Sequence, residues 1–274
     1  MVAAVNWWER PLVSLDLETT GLDRYGGDSI VRLTLIAVAP NGELVGSSVD
    51  EFVRPRHRVS DGALKAHHLT DNFLKENGKE ASTILESASK MLNTASDKGF
   101  PVCAFNALFD VPMLLSNCRM NEVEYPLPFV CIDPWLILRH IGGEWYSLDK
   151  AAKEVLNEEQ PHPHDSLWDA TATARIVIEL VKLYPRFMEI PLEWLRERQQ
   201  VWALKYVREC AAGEEDNSYG WPRGKYANLE PAIQPGLFEQ DPYEGEATYT
   251  CPRCDGEWKA VEGELRALTD TEGE

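Results

Sequence analysis

Two carboxylates stand two residues apart in the segment Leu-Val-Ser-Leu-Asp-Leu-Glu at residues 12–18. Apolar and polar residues alternate here, which predicts a β-strand with Asp16 and Glu18 on its polar face. Two like charges on one face repel each other unless they share a cation. Carboxylate oxygens are preferred ligands of Mg²⁺ and Mn²⁺, so the pair could hold a divalent metal. A solvated strand face is the alternative for an isolated Asp-x-Glu, and the residues that follow favour the metal site.

The segment Asp-Leu-Glu-Thr-Thr-Gly-Leu at residues 16–22 resembles the first motif of the DEDD exonuclease superfamily, which includes the proofreading subunits of bacterial DNA polymerase III. Residues 102–110 resemble the second motif, and residues 164–170 resemble the third in its His-x4-Asp (DEDDh) form. Residues 66–71, Ala-His-His-Leu-Thr-Asp, are more weakly similar to the family's His-Gly-Ile-Thr segment. The motifs occur in the family's order over residues 10–185, which is more specific than any one of them.

The resemblance implies metal ligands at Asp16, Glu18, Asp110 and Asp169, a general base at His164, and two Mg²⁺ or Mn²⁺ ions as cofactors. Hydrolysis of a phosphodiester needs an attacking water, neutralisation of a highly charged transition state and stabilisation of the leaving 3′ oxygen. Two cations about 4 Å apart can serve the last two needs. A histidine with a pKa near neutral can accept the proton of the water. Taken singly, Asp110 would be interpreted as a helix cap and His164 as an exposed loop histidine.

Several further residues are candidates for holding the nucleic acid. The turn after the first motif is expected to bind the terminal nucleotide, and the resemblance implies that Leu22 wedges against the last base. The candidate substrate contacts are Thr19, Thr20, Gly21, Leu22, His67, Asn106 and Phe109. For Phe109 the alternative is the hydrophobic core, which is the more common place for an aromatic residue beside a strand. The densest basic patch, residues 54–58, could contact phosphates or be solvated surface.

Hydrophobic patterns predict the elements that position these residues. Three strands, at residues 12–18, 30–38 and 43–53, are expected to form an antiparallel meander because Asn41-Gly42 favours a hairpin turn. Helices and strands then alternate: helix 81–98, strand 102–105, helix 110–121 with Pro112 in its first turn, strand 129–132, and helices 135–140, 148–156 and 166–183. This order predicts an α/β fold with a mixed five-stranded sheet flanked by helices, which the resemblance implies to be ribonuclease H-like.

Three regions are predicted along the chain: an exonuclease domain at residues 1–185, a helical extension at 186–212, and an acidic, irregular region with one CxxC pair at 213–274. The last region holds 15 acidic and 5 basic residues. Their net charge of −10 is more than half of the net charge of −18 of the whole chain. Negative charge opposes binding of long duplex DNA, so short or single-stranded ends are favoured. Aromatic residues in the helical extension indicate packing against the catalytic domain rather than a nucleic-acid contact.

The sequence shows no feature of a membrane or secreted protein. No apolar run reaches the roughly 18 to 20 residues of a membrane-spanning helix, and no secretory signal is visible at its start. The 6 cysteines are scattered rather than arranged as a disulfide framework. We therefore expect a cytoplasmic protein without a membrane partner. Cys251 and Cys254 form half of a structural zinc site; we expect free thiols there, with completion by a second chain as the alternative.

These observations predict a metal-dependent 3′–5′ exonuclease that releases nucleoside 5′-monophosphates from single-stranded DNA ends, in replication proofreading or repair. DNA is favoured over RNA because the first motif and the His67 segment are most similar to the proofreading branch. A 3′–5′ exoribonuclease or oligoribonuclease is one alternative, because 2′-hydroxyl contacts cannot be read from the sequence. A non-catalytic module that binds nucleic acid or a polymerase is another, although all five catalytic positions are intact. A polymerase or replication protein is the expected protein partner.

Overall fold

The computed structural model describes residues 6–25, 27–142, 146–159, 165–212, 247–250, 257–261 and 264–267. Its five main strands are β1 (Leu12–Thr19), β2 (Ile30–Val38), β3 (Leu44–Phe52), β4 (Val102–Cys103) and β5 (Cys131–Ile132). They form one sheet in the order β3-β2-β1-β4-β5. The first three strands pair antiparallel, whereas β4 pairs parallel with β1 and β5 parallel with β4. The predicted antiparallel meander and the mixed five-stranded sheet are therefore confirmed.

The described residues form eight α-helices. They are α1 (Asp61–His67), α2 (Asp71–Asn77), α3 (Ala81–Asp97), α4 (Ala107–Met120), α5 (Pro134–Gly142), α6 (Leu148–Ala151), α7 (Ser166–Leu183) and α8 (Leu192–Ala212). A π-helical turn, Ala152–Leu156, continues α6. The two short helices α1 and α2 were not predicted, because each has only 7 residues and too few turns for a periodic apolar pattern.

Alternation along β1 sends successive side chains into two different cores. Val13 and Leu15 pack with buried residues of α3 and α4 on one face of the sheet. Leu12 packs on the other face with buried residues of α5, α7 and α8. The even-numbered positions of β1 share the second face, so Asp16 and Glu18 point toward the side covered by α7.

The helix that carries Asp110 begins earlier than predicted. Asn106 is its N-cap in the left-handed conformation, with φ of 66°, and Ala107 is the first helical residue. Asp110 is therefore the fourth residue of α4 rather than its first, and Pro112 lies in the second turn rather than the first. The cause is a distant carboxylate: Asp133 accepts the backbone N–H groups of Asn106 and Ala107 and satisfies the helix start from outside the segment.

Helix α8 packs against the catalytic core, as its aromatic residues indicated. Leu195 and Trp202 are buried in the same core as α7, and the Trp202 ring stacks on His140 with centroids 4.2 Å apart. At the other end of the chain, the Trp7 indole N–H donates to the Ile190 carbonyl at 3.0 Å. The segment that precedes α8 is thus tied to the start of the domain.

In the acidic region at 213–274, which the sequence predicts to be irregular, the described residues all lie in the last part. Three short strands, β6 (Ala247–Thr250), β7 (Glu257–Val261) and β8 (Glu264–Ala267), form an antiparallel sheet. The acidic, Pro- and Gly-rich composition was averaged over the whole region, which concealed short runs that alternate apolar and polar residues. In the described parts of the chain, the helices are too short or too polar to span a membrane.

Candidate active site

The acidic residues meet at one edge of the sheet. Strands β1, β3, β4 and β5 all run in the same direction, so their carboxyl ends share an edge. Asp16 and Glu18 lie near the end of β1, and Asp169 lies in the first turn of α7. One carboxylate oxygen from each of these three residues lies within 4.8 Å of the others. Three of the four predicted metal ligands are thus brought together.

Asp110, the fourth predicted ligand, is not a member of that group of three. The Asp110 side chain is buried next to that group. It is 6% exposed, and the charges of Asp16 and Glu18 both act on its carboxyl. A backbone hydrogen bond from Leu17, which lies between those two residues on β1, also reaches the Asp110 carboxyl. The structure therefore places Asp110 next to the cluster, on the side of β4 and α4.

Burial raises the pKa of all four carboxyl groups. Loss of water is the largest cause at Asp16, Glu18, Asp110 and Asp169, and repulsion from neighbouring carboxylates adds to it. The four groups therefore cannot all be ionised at neutral pH without positive charge among them. A divalent cation supplies that charge, and carboxylate oxygens are its preferred ligands. The donor set thus fits a metal site.

One network of side chains fixes Asp16. Ser166, the first residue of α7, has its Oγ 2.5 Å from Asp16 Oδ2 and 2.8 Å from Thr34 Oγ1. The Thr34 hydroxyl donates to Asp50 Oδ1 at 2.9 Å. Arg32 donates to both oxygens of Asp50, through Nε at 2.9 Å and Nη2 at 3.0 Å. The Arg32 charge lowers the pKa values of Asp16, Glu18 and Asp169, against the larger effect of burial.

Strand register explains why these residues meet. Thr34 is the cross-strand partner of Asp16, and Arg32 is the partner of Glu18, across the β1–β2 hairpin. Asp50 of β3 lies directly opposite Thr34 in the next pair. Arg32, Thr34 and Asp50 were not predicted as part of the site. The predicted hairpin about Asn41-Gly42 joins β2 to β3, so it could have revealed the Thr34–Asp50 pair. The pairing of β2 with the two carboxylates of β1 depends on the longer turn at residues 20–29, whose register no pattern indicates.

A different arrangement holds α4, and through it Asp110. The buried Asp133 carboxylate accepts N–H groups from Asn106 and Ala107 at 3.0 and 2.9 Å, and from Trp135 at 2.9 Å. It thereby joins the starts of α4 and α5. Burial raises the pKa of Asp133 to about 7, while these N–H donors lower it. The side-chain amide of Gln199, from α8, then closes the exposed edge of β5.

The Gln199 contacts reproduce those of a neighbouring strand. Its Oε1 accepts the Asp133 N–H at 2.6 Å, and its Nε2 donates to the Cys131 carbonyl at 2.9 Å. β5 is the last strand of the sheet, so these backbone groups have no strand partner on that side. No pattern in the sequence indicates this role, because the contact between Gln199 and Asp133 arises only from tertiary packing.

The turn after β1 is closed by internal hydrogen bonds. Thr20 Oγ1 donates to Asp28 Oδ1 at 2.7 Å and accepts the Ser29 N–H at 2.9 Å. The Thr19 hydroxyl donates to the Gly21 carbonyl at 2.7 Å. A Cβ at Gly21 would lie 2.5 Å from Asp28 Oδ2, so the missing side chain lets Asp28 approach. The Thr20 hydroxyl makes both of these hydrogen bonds within the turn. The structure therefore does not support a direct contact between this hydroxyl and the substrate.

The other predicted substrate contacts fall in different environments. Leu22 is 56% exposed beyond the turn, as a wedge residue requires. His67 is buried; its Nδ1 accepts the Leu69 N–H at 3.0 Å and its Nε2 lies 3.1 Å from the Thr19 carbonyl, so it supports the turn from behind. Phe109 is half-buried against the α3–α4 core. Asn106 Oδ1 is buried and has no hydrogen-bond partner within the described residues.

Two sets of predicted functional residues lie outside the described residues. They are the proposed base His164 and the cysteine pair Cys251 and Cys254. Asp165, next to His164, is described: its side chain accepts the Leu167 N–H and caps α7. The remaining cysteines with described side chains, Cys103, Cys118 and Cys131, are buried free thiols.

Comparisons with known proteins agree with this geometry. The family model described as "Exonuclease" matches residues 13–177. The DNA polymerase III subunit epsilon of Rickettsia prowazekii is 28% identical over 173 residues, which are 61% of this chain and 72% of that protein. The DNA polymerase III PolC-type of a Staphylococcus epidermidis strain is 30% identical over 179 residues, 65% of this chain but only 12% of the polymerase.

Solved structures share the fold at lower identity. A structure of exonuclease I superposes with a TM-score of 0.57 at 14% identity, covering 66% of this chain and 42% of that one. The exonuclease I from Methylocaldum szegediense gives 0.53 at 19% identity, covering 73% and 45%. The chain thus spans less than half of these enzymes. The family match covers every described acidic residue of the site, and the chain belongs to the exonuclease family as a member of the DEDD superfamily.

Proposed function

We propose that this protein is a metal-dependent 3′–5′ exonuclease that removes nucleoside 5′-monophosphates from single-stranded DNA ends. The observation that carries the proposal is the cluster of Asp16, Glu18 and Asp169, whose carboxylate oxygens lie within 4.8 Å of one another beside the buried Asp110. A cluster of this kind is unfavourable without cations and suits a site that binds them.

A role is proposed for each of the five residues. Asp16, Glu18, Asp110 and Asp169 hold two Mg²⁺ or Mn²⁺ ions. When bound, such ions neutralise phosphate charge and stabilise the attacking and leaving oxygens of a displacement. His164 accepts a proton from the attacking water. Its place in the chain, five residues before Asp169, keeps it within one short segment of the cluster.

The terminal nucleotide is proposed to rest on the turn after β1. The exposed Leu22 is proposed to contact the last base, with the backbone of Gly21 beside it. Thr19 ends β1 directly after Glu18, so its backbone is proposed to lie next to the nucleotide as well. Asn106 adds a side-chain oxygen without a partner among the described residues, close to Asp110 on the same helix start. His67 and Thr20 contribute by holding the turn in shape rather than by contact through their side chains.

DNA is proposed as the substrate because the names of the similar proteins refer to DNA. The similar proteins are named as subunits or types of DNA polymerase III. One solved structure with this fold is E. coli exonuclease I in complex with a dA16 oligonucleotide. By the same comparison we propose a polymerase or another replication protein as a partner, and proofreading or repair as the process. The buried free thiols support a cytoplasmic location, where cysteines stay reduced.

The test is a time course on 5′-labelled single strands, one of DNA and one of RNA, with purified protein and Mg²⁺ or Mn²⁺. We expect a descending ladder on DNA that a chelator abolishes, and a slower or absent ladder on RNA. Faster loss of RNA would instead make the protein an exoribonuclease. Asp110→Asn is the inactive control, and Asp97→Asn, at an exposed carboxylate in the last turn of α3, is its matched active control. Intact strands with every metal would favour the binding-module alternative.

A further inference from the structure

The loop after β3, residues 54–60, carries three arginines in five positions and lies at the same sheet edge as the acidic cluster. β3 runs in the same direction as β1, since each pairs antiparallel with β2. The chain leaves β3 at Phe52, which lies in the same cross-strand row as Glu18, near the end of β1. We call residues 54–60 the arginine loop. Its position beside the cluster follows from topology alone.

Hydrogen bonds join the arginine loop to the turn that carries Leu22. The Ser60 N–H donates to the Thr20 carbonyl at 2.8 Å. Ser29 Oγ accepts the Arg56 N–H at 3.2 Å and lies 2.9 Å from His57 Nδ1. Ser29 is itself bonded to Thr20 through two backbone groups, at 2.8 and 2.9 Å. The loop is therefore fixed relative to the place proposed for the terminal nucleotide.

The three guanidinium groups differ in how they are engaged. Arg54 is paired with Glu80 and donates to the Gly78 carbonyl at 3.1 Å. Arg58 is 94% exposed, and its one contact with the part of the chain that the structure describes is a long one of 3.4 Å with Asp71, an interaction of little strength at the surface. Arg56 is exposed, and its guanidinium makes no hydrogen bond or ion pair among the described residues. Arg56 is the group most available to a ligand.

From these observations we infer that Arg56, assisted by Arg58, binds a backbone phosphate of the nucleic acid upstream of the terminal nucleotide. The inference rests on the proposed function and adds where the strand leaves the site. The cations at the acidic cluster neutralise only the phosphate that is cleaved, so a phosphate further upstream needs positive charge from the protein. A planar guanidinium can pair with two phosphate oxygens at once. The arginine loop thus supplies local positive charge in a chain whose net charge is −18.

The test compares two substrates of Arg56→Ala: a short single-stranded oligodeoxynucleotide, and the p-nitrophenyl ester of thymidine 5′-monophosphate, which has no upstream phosphate. We expect KM for the oligonucleotide to rise about threefold to tenfold, and KM for the ester to change less than about twofold. The dependence of log KM on log salt for the oligonucleotide should become shallower by about 0.7. Arg56→Lys, which keeps the charge, should recover part of the loss.

Lys90→Ala is the matched control, because Lys90 is an exposed cation away from the arginine loop. It lies about 13 Å along α3 from Ala81, and Ala81 follows Glu80, the partner of Arg54. This variant should leave KM and the salt dependence as in the parent protein. If Arg56→Ala also leaves both unchanged while the parent degrades the oligonucleotide, the inference is wrong and the proposed function stands. If the parent hydrolyses neither substrate, the proposed function fails and the inference fails with it.

Discussion

Asp16 and Asp110 border the same acidic cluster, yet they are anchored by different kinds of contact. On the β2–β3 side, Asp16 is held by hydroxyl and charged side chains that end at the Arg32–Asp50 pair, which is partly open to solvent. On the β4–β5 side, Asp110 is held by the start of α4, which backbone N–H groups fasten to the buried Asp133. The β2–β3 side is therefore an electrostatic network of side chains, and the β4–β5 side is a network of hydrogen bonds to backbone groups.

This difference indicates separate tasks for the two sides. The charged side can adjust the protonation of the cluster, because the Arg32 guanidinium acts on three of its carboxyl groups. The β4–β5 side depends on buried hydrogen bonds to Asp133 and Gln199, which cost about 1–3 kcal/mol each when one partner is lost. Substitutions on the first side should therefore change pH behaviour, and those on the second should change stability.

The largest effect should come from the cluster itself, where the two sides meet. We expect Glu18→Gln to lower the rate of DNA hydrolysis about 10³-fold or more, because the site loses a charged metal ligand. The same variant should be more stable than the parent protein without metal, since one buried, repelled carboxyl is removed. Steady-state hydrolysis and thermal unfolding measure the two effects. A variant that is both active and less stable would contradict this view of the cluster.

Removing the Gln199 amide tests the β4–β5 side. Gln199→Leu leaves the Asp133 N–H and the Cys131 carbonyl buried without a partner, so we expect a loss of about 2 kcal/mol or more in unfolding free energy. Activity well below the unfolding temperature should fall about tenfold through displacement of α4 and Asp110. Gln200→Leu is the matched control at the neighbouring, half-buried position. Equal stability of the two variants in denaturant titrations would show that α8 does not support the site.

Removing the Arg32 charge tests the electrostatic side. The Arg32 guanidinium lowers the pKa values of Asp16, Glu18 and Asp169, so Arg32→Gln should raise them. Metal binding requires deprotonated carboxyl groups, and the acid limb of the rate profile should therefore move upward by about 0.5 to 1 pH unit. The same profile for Gln199→Leu should keep its midpoint. An unchanged midpoint in Arg32→Gln would remove the distinction between the two sides.

The smallest effect concerns the stability of the metal-free protein. Folding raises the pKa of the cluster carboxyl groups above their unfolded values, so between those values the native state binds more protons than the unfolded state. Stability without metal should therefore fall as pH rises through this window. Added Mn²⁺ should raise the melting temperature more at about pH 8 than at about pH 5.5, because fewer protons compete with it. Scanning calorimetry with and without chelator measures both trends.

The parts of the site that sequence could predict are those set by local pattern. Alternation along β1 places Asp16 and Glu18 on one face, and the ends of β2 and α7 fall at the predicted residues. The support of Asp110 could not be predicted, because Asp133 and Gln199 reach it only through tertiary packing. The early start of α4 has the same origin.

Cations shared between the two sides of the site are the central feature of the proposed enzyme. Calorimetric titration of Mn²⁺ into the chelator-treated protein measures their binding. We expect saturable binding accompanied by proton release, abolished in a double variant carrying Asp16→Asn and Asp110→Asn and retained in Asp97→Asn. Loss of binding when either side alone is changed would show that both contribute. Equal Mn²⁺ binding by the parent protein and the double variant would contradict the account.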